Sequence, residues 1–245
     1  MELGKNTKSI VMIVIVVVVV LLLVIFIQQH IFKQKSLTSG VLDATKQYSI
    51  SSDKLSASSN GNLNYTYSMW IYVSDWSYNL GVDKVVLSRG EKSSSSENIF
   101  YPQIYLGKTE NTLTIRQSMQ TSQTDYVTNN CTIENVPLQK WTCIIVSMND
   151  RDMDVYLNGK LVRTCVLPYP PYCPGGDDVK LSPKGIGFQG SISNVSYWPN
   201  AISPQQAWNI YKYGPGGTSM TDIFQKFQLK FVFLENGQEE GSFTI

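Results

Sequence analysis

The sequence predicts an all-β protein: a two-sheet antiparallel jelly-roll sandwich with one short helix, preceded by a single N-terminal transmembrane helix. Three observations lead there. Short stretches of period-two alternation, separated by turn residues, recur from Asn64 onward. A Ser-Pro-Gln-Gln signature opens one helix at Ser203, and Ile10 to Ile27 is an unbroken apolar run, IVMIVIVVVVVLLLVIFI.

The apolar run comes first in the chain. At about 1.5 Å of rise per residue its helix would reach about 27 Å, close to the hydrocarbon thickness of a bilayer. A cleaved secretory signal is the alternative, since Lys5 and Lys8 precede the run. However, a signal's apolar region is shorter and ends at a small-x-small site, whereas this run exits through Gln28, Gln29, His30, Ile31 and Phe32. β-Branched residues disfavour helix slightly in water, but in lipid the backbone has to satisfy its own hydrogen bonds. Lys5 and Lys8 on one side balance Lys33 and Lys35 on the other, so the run shows no positive-inside asymmetry. It contains no Gly, Ala, Ser or ionisable residue, which makes it a tether rather than a packing or transport helix.

The layout that follows is a tail at 1–9, the span at 10–27, a stalk at 28–62, a jelly-roll domain at 63–217 and a C-terminal β extension at 218–245. The stalk is rich in Ser, Thr, Asn and Gly. Its Val41 to Ile50 portion alternates weakly and reads equally as linker or as a first strand. Tyr65 to Val73 alternates with both sets partly apolar, which predicts a central strand covered on both faces. Further strands are expected at Lys84 to Ser88, Ile99 to Leu106, Thr112 to Gln117, Tyr126 to Ile133, Trp141 to Met148, Met153 to Leu157, Lys160 to Val166 and Ile186 to Trp198. Asn158-Gly159, between VYL and KLV, is the strongest hairpin signal, because a type I′ turn needs positive φ at both central positions. Ser203, Pro204 and Gln206 cap a helix expected over Pro204 to Tyr213, with Ala207, Ile210 and Tyr211 on its packing face and Gly214-Pro215 closing it. The tail alternates again through Phe227, Leu229, Phe231 and Phe233 before Asn236-Gly237, as a C-terminal hairpin or a pairing edge would.

Composition narrows the function. The chain carries 20 Lys+Arg against 19 Asp+Glu; without Lys5, Lys8, Lys33, Lys35 and Glu2 the remainder has 16 basic against 18 acidic residues. Such a domain has no electrostatic footprint for nucleic acid. Four cysteines, Cys131, Cys143, Cys165 and Cys173, lack zinc spacing, and His30, the single histidine, sits beside the apolar run. Two disulfides or four buried thiols remain. Cys131 with Cys143 and Cys165 with Cys173 is the simplest of three connectivities. Asn64, Asn130 and Asn194 head N-x-S/T sequons, meaningful if the domain passes through a secretory compartment.

Three segments resemble the laminin-G-like, concanavalin A-like jelly-roll superfamily. They are YTYSMWIYVSDW at Tyr65 to Trp76, KWTCIIVSMNDRDMDVYLNGKLVRT at Lys140 to Thr164, and GFQGSISNVSYWPNAISPQQAWNIYKYGP at Gly187 to Pro215. They look like the family's early Trp-bearing strand, its Trp-led strand with an acidic turn and Tyr-x-Asn-Gly hairpin, and its closing strand followed by the short helix. Met69 to Gly90, behind an N-terminal anchor, further resembles membrane-tethered members encoded by large icosahedral DNA viruses. That resemblance implies a minor capsid or virion component at the internal membrane, with lipid and neighbouring capsid or membrane proteins as partners.

No catalytic constellation is legible. The Glu-x-Asp-x-x-Glu array of the family's glucanases is absent; Asp150, Asp152 and Asp154 fall at a turn, and Asp177-Asp178 and Glu239-Glu240 are the other acidic clusters. No histidine base lies in the domain, and no nucleotide-binding or metalloprotease motif appears. Calcium would have only the loop oxygens of Asp75, Asp83, Asp177 and Asp178, without a fixed ligand spacing, so no metal or other cofactor is assigned. Trp70 and Trp141 sit within strand patterns and are expected in the core. Trp76 and Tyr78 in one loop, and Tyr169 and Tyr172 in the PYPPYCPGG loop at Pro168 to Gly176, are the expected interaction surface, its prolines stiffening the backbone. The leading expectation is a non-enzymatic, membrane-anchored structural protein of a virus particle. A membrane-anchored lectin or adhesion module that binds glycans through the aromatic loops is the alternative, and a degenerate glycoside hydrolase the third.

Overall fold

A computed structural model describes residues 18, 19, 22, 35–55, 63–92, 98–123, 125–216, 230–235 and 238–244. Most of the Ile10 to Ile27 run lies outside them; among the described residues no helix is long and apolar enough to cross a membrane. The chain divides into two compact units, Met1–Lys35 and Ser36–Ile245, and the sandwich is built in the second.

The strands are β1 (Lys35–Ser36), β2 (Val41–Asp43), β3 (Tyr48–Ile50), β4 (Tyr65–Asp75), β5 (Lys84–Lys92), β6 (Asn98–Leu106), β7 (Leu113–Gln120), β8 (Tyr126–Ile133), β9 (Thr142–Asn149), β10 (Asp152–Leu157), β11 (Lys160–Val166), β12 (Val179–Leu181), β13 (Gln189–Trp198), β14 (Lys230–Glu235) and β15 (Gln238–Thr244). A seven-stranded sheet runs β1-β13-β4-β9-β10-β11 with β2 also on β13, and a six-stranded sheet runs β3-β12-β5-β6-β7-β8. Every ladder for which a register is defined is antiparallel. β14 and β15 pair antiparallel as a separate two-stranded sheet, and the turn expected at Asn236-Gly237 lies outside the described residues.

β4 is central, between β13 and β9, and its first seven residues are buried on both faces. Tyr65, Tyr67, Met69, Ile71 and Val73 point into the main core, where they meet Val86, Leu87, Ile104 and Leu106 of the opposing sheet. The opposite face carries Trp70, which joins Cys143, Ile145, Tyr156 and Trp198 beneath helix α1 (Pro204–Lys212). This second cluster explains the partly apolar alternate set, since the outer face of the sheet is covered by a helix rather than by water. The α1 capping box is complete: Gln206 N donates to Ser203 Oγ, and Ser203 N donates to Gln206 Oε1. Ala207 and Ile210 are buried beneath it, with Tyr211 packed alongside.

Asn158 and Gly159 have φ of 50° and 74° and turn β10 into β11 as a two-residue hairpin. Several boundaries shift from expectation; β5 runs on to Lys92 and β7 to Gln120. Leu37, Ala44, Ile50 and Leu55 are buried in the main core, so the sandwich takes in most of the 28–62 segment read as stalk. β2 and β3 enter different sheets, β2 on β13 and β3 on β12, and strands of three residues carry too little alternation to be seen in sequence. β13 begins at Gln189 rather than Ile186.

The cysteines also depart from expectation. Cys131 of β8 is bonded to Cys165 of β11, while Cys143 and Cys173 are free thiols. The pairing of Cys131 with Cys143 fails because Cys143 lies on the far face of its sheet, under α1. Cys165 turns from β11 toward β8 instead of forward to Cys173.

Candidate functional site

The candidate site grows out of β7. Beyond Arg116 this strand leaves its register with β6, and the proline-rich segment takes that place. Tyr172 N donates to Ser118 O at 2.9 Å, Gln120 N donates to Pro170 O at 3.4 Å, and Pro171 bridges Met119. Prolines cannot donate, so the segment accepts at Pro170 and donates through Tyr172. On its other edge β7 turns into β8 through Thr121 to Asp125. There Thr121 N and Thr121 Oγ1 donate to Asp125 O, and Ser122 Oγ donates to Asp125 Oδ2 at 2.7 Å. Gln120 Nε2 donates to Gln123 O at 3.5 Å, tying the turn to the strand end.

Between these two loops lies an open groove of about 540 Å³, lined by Leu63, Gln120 to Gln123 and Pro170 to Pro174. One side is amide and hydroxyl, and the other is proline rings with Tyr172 and Cys173. The Tyr172 ring packs at 4.7 Å on Tyr126 and edge-on to Tyr101 at 6.4 Å. Gln117 anchors the segment from below, its Nε2 donating to Tyr172 O at 3.1 Å while its Oε1 accepts from Tyr65 at 2.7 Å. Half-buried Arg89 braces the far end: Nε donates to Asp177 O at 3.0 Å, Nη1 donates to Tyr67 Oη at 3.4 Å, and the guanidinium lies over the Tyr101 ring. Tyr101 in turn donates to the Asp177 carboxylate. Burial raises the Tyr65 and Tyr67 phenols well above their ordinary range and pushes the Cys173 thiol up to about 12, against the pull of Arg89 and Gln117. The groove therefore stands on a rigid, protonated floor with no thiolate at neutral pH.

The four aromatics expected to form one surface are split between the two ends of β4. Tyr169, 46% exposed, and half-buried Tyr172 belong to the proline-rich segment, near the Tyr65 end. Trp76 and Tyr78 follow Asp75 at the other end. Trp76 is engaged in the fold: its Nε1 donates to Thr109 O at 3.2 Å, and Lys84 Nζ lies 4.7 Å from its ring centroid. Lys84 is wholly buried, donates to Gly107 O and Lys108 O, and burial lowers its pKa. Tyr78 remains 38% exposed. Trp70 is buried, and Trp141 is half-buried against Tyr72.

The acidic clusters are occupied by local structure. Asp154 accepts from Thr164 Oγ1 at 2.6 Å, Asp178 accepts from Ser52 N at 3.0 Å, and Asp75 accepts from Ser77 N and Oγ, which lower its pKa. Among the described residues no group of three or more His, Cys, Asp or Glu side chains could hold a metal ion. Of the sequons, Asn130 is exposed and accepts from Arg116, Asn64 accepts from Asp150 N, and Asn194 donates to Gly214 O. Sequence reasoning did not find Gln120 to Gln123, because a polar turn between two strands carries no distinctive spacing.

Residues 43–207 match the laminin G 3 family model, described as the concanavalin A-like lectin/glucanases superfamily. No curated protein matches the chain. Among solved structures, the receptor binding domain of botulinum neurotoxin C/D mosaic serotype superposes with a TM-score of 0.53 at 11% identity, over 73% of this chain and 45% of that one. The botulinum neurotoxin serotype D ligand binding domain in complex with N-acetylneuraminic acid gives 0.52 at 13% identity, over 74% of this chain and 44% of that one. The binding domain of botulinum neurotoxin DC in complex with SialylT gives 0.52 at 13% identity, over 70% and 42%. The chain spans less than half the length of these domains, and at such identity the likeness shows the fold alone.

Proposed function

The chain belongs to the concanavalin A-like lectin/glucanases superfamily, and on that premise we propose that it is a membrane-anchored binding protein that holds a glycan in the groove between Gln120–Gln123 and Pro170–Pro174 without cleaving it. The observation that carries this reading is the two-sided lining of the groove. A pyranose offers hydroxyls at its rim and an apolar C–H face, and it needs amide or hydroxyl partners on one side and flat apolar rings on the other. The volume is in the range of small-ligand sites. That two of the superposed toxin domains are described in complex with SialylT and with N-acetylneuraminic acid favours, weakly, a glycan over a capsid partner.

Among the described residues that line the groove there is no pair of carboxylates of the kind that glycosidic cleavage uses, which favours binding over hydrolysis. The Ile10 to Ile27 run would tether the domain to a bilayer and hold many copies side by side, turning weak single-site binding into avidity. The reading as a virion component rests on that run and on the Met69 to Gly90 resemblance, and it is compatible with a glycan-binding surface. The test is a glycan array probed with the full-length chain in detergent. Binding is expected, and Gln120→Ala with Gln123→Ala should weaken it at least tenfold without loss of fold by circular dichroism. An array with no binding, or binding indifferent to both substitutions, overturns the proposal.

A further inference from the structure

We infer that Asn130 is an N-glycosylation site and that the sandwich folds on the lumenal side of a membrane, in an oxidising compartment. Two independent observations meet in one triplet, Asn130-Cys131-Thr132. Its ends form an N-x-T sequon, and its middle residue is bonded to Cys165. Disulfides form and persist in the endoplasmic reticulum lumen, which is also where oligosaccharide is transferred to sequons.

The fold separates this sequon from the other two. Side chains along a strand alternate between faces. Cys131 of β8 turns into the core, so Asn130 points outward and is exposed, on the outer strand of the six-stranded sheet. Thr132 shares that outer face, half-buried, with its hydroxyl 3.0 Å from that of Thr114. The other two sequons have their hydroxyls sealed in. Thr66 is wholly buried and donates to Asn200 O at 2.8 Å, and Ser196 is wholly buried. Asn64 is half-buried, with its Oδ1 holding Asp150 N at 2.7 Å. Asn194 is half-buried at a φ of 48°, and its Nδ2, the atom that would carry the sugar, donates to Gly214 O at 3.2 Å. A bulky sugar has to stay on the surface of the folded domain, and of the three asparagines Asn130 is the exposed one.

The bonding at Asn130 tolerates the modification. Attachment forms a bond from Asn130 Nδ2 to the anomeric carbon of a polyprenyl-diphosphate-linked oligosaccharide. It breaks that carbon's bond to the diphosphate oxygen, and the amide proton leaves with the lipid diphosphate. The carbonyl Oδ1 is untouched, so it continues to accept from Arg116 Nε at 3.3 Å. The sugar is also rooted away from the groove, since Asn130 lies four residues beyond Tyr126 at the start of β8, about 14 Å at strand rise.

The test is expression of the full-length chain in a eukaryotic secretory host, followed by digestion of the membrane fraction with an amidase that releases N-linked glycans. A single mobility shift is expected, lost on digestion, lost in Asn130→Gln, and lost in Thr132→Ala, which keeps Asn130 and its Arg116 contact. Thr132→Ser keeps a sequon and should keep the shift, as should Asn64→Gln and Asn194→Gln. In the parent chain the amidase leaves an aspartate where the glycan was, which peptide mass spectrometry should read at position 130. A chain without a glycan, a glycan that persists in both Asn130→Gln and Thr132→Ala, or conversion at position 64 or 194 overturns the inference.

Discussion

Cys131 and Cys165 join the outer strand of one sheet to the outer strand of the other, with their Cα atoms 6.0 Å apart and a sequence separation of 34. β8 and β11 would otherwise leave the sandwich open along this side. Arg163 supports the closure by donating to Thr132 O at 2.6 Å.

Reduction should therefore open the sandwich at this edge. Loop closure over 34 residues corresponds to about 4 kcal/mol in the chain-entropy model. Cys131→Ser with Cys165→Ser is expected to lose about that much in denaturant unfolding, and reductant should bring the parent chain to the same midpoint. A midpoint unmoved by reductant would show that the bridge does not hold the two sheets.

The free thiols give an alkaline signature. Burial pushes Cys143 and Cys173 up to about 12 from an ordinary 9.0. Above pH 9 the unfolded chain releases these protons while the folded chain keeps them, so stability is full below about 9 and falls as pH rises toward 12. The slope is about 1.4 kcal/mol per pH unit for fully buried Cys143. Denaturant midpoints taken from pH 8 to 11 should decline, and Cys143→Ala should flatten part of the decline. A disulfide reagent at pH 8 should find Cys143 only after denaturant is added, whereas Cys173, in the lining of the groove, is the more accessible of the two; a fast-reacting Cys143 in the folded chain would contradict its burial.

Helix α1 sits directly over the β10–β11 hairpin. A Cβ on Gly159 would lie 2.9 Å from Trp208 Cε3 and 2.9 Å from Tyr211 Cβ, and its φ of 74° is one that side-chain-bearing residues resist. Gly159→Ala is expected to cost at least about 2 kcal/mol, by backbone strain and by lifting the helix. Gly185→Ala has a similar φ of 82° and open space around it, so it should cost only the backbone share, about 1 kcal/mol. Equal losses in the two variants would mean that the helix does not bear on the turn.

The contrast between these glycines parallels what could be read in the sequence. Wherever structure follows from neighbours in the chain, the reading is complete: the Asn158-Gly159 turn, the Ser203 capping box, and the double-sided alternation of β4. Where it depends on distant partners, the two-sheet architecture and the central place of β4 are read but particular pairings are missed. β2 and β3 are three residues each and exist because β13 and β12 offer them edges. Cys131 and Cys165 come together through the stacking of two sheets, which spacing does not encode. The candidate groove was half legible, because proline and tyrosine mark one wall while its amide wall is a turn with no signature.

Trp76 is the sharpest case of a residue type that misleads, and it yields the decisive comparison of the two ends of the sandwich. In a loop beside Asp75 and Tyr78 it reads as an exposed sugar platform, yet its ring is stacked on the buried Lys84 ammonium and its Nε1 donates to Thr109 O. Removing it takes away a partly desolvated cation–π contact and half-buried aromatic area, together about 2 kcal/mol. It should also leave Lys84 with carbonyl partners alone. Trp76→Ala is therefore expected to lower the unfolding midpoint while glycan affinity stays within twofold at temperatures where the domain is folded. Gln120→Ala with Gln123→Ala should do the reverse, weakening binding with little change in midpoint, since Gln120 and Gln123 belong to an exposed turn. Measuring both variants by thermal unfolding and by glycan titration separates the two roles. A loss of binding in Trp76→Ala that matches the groove variant would move the site to the other end of β4.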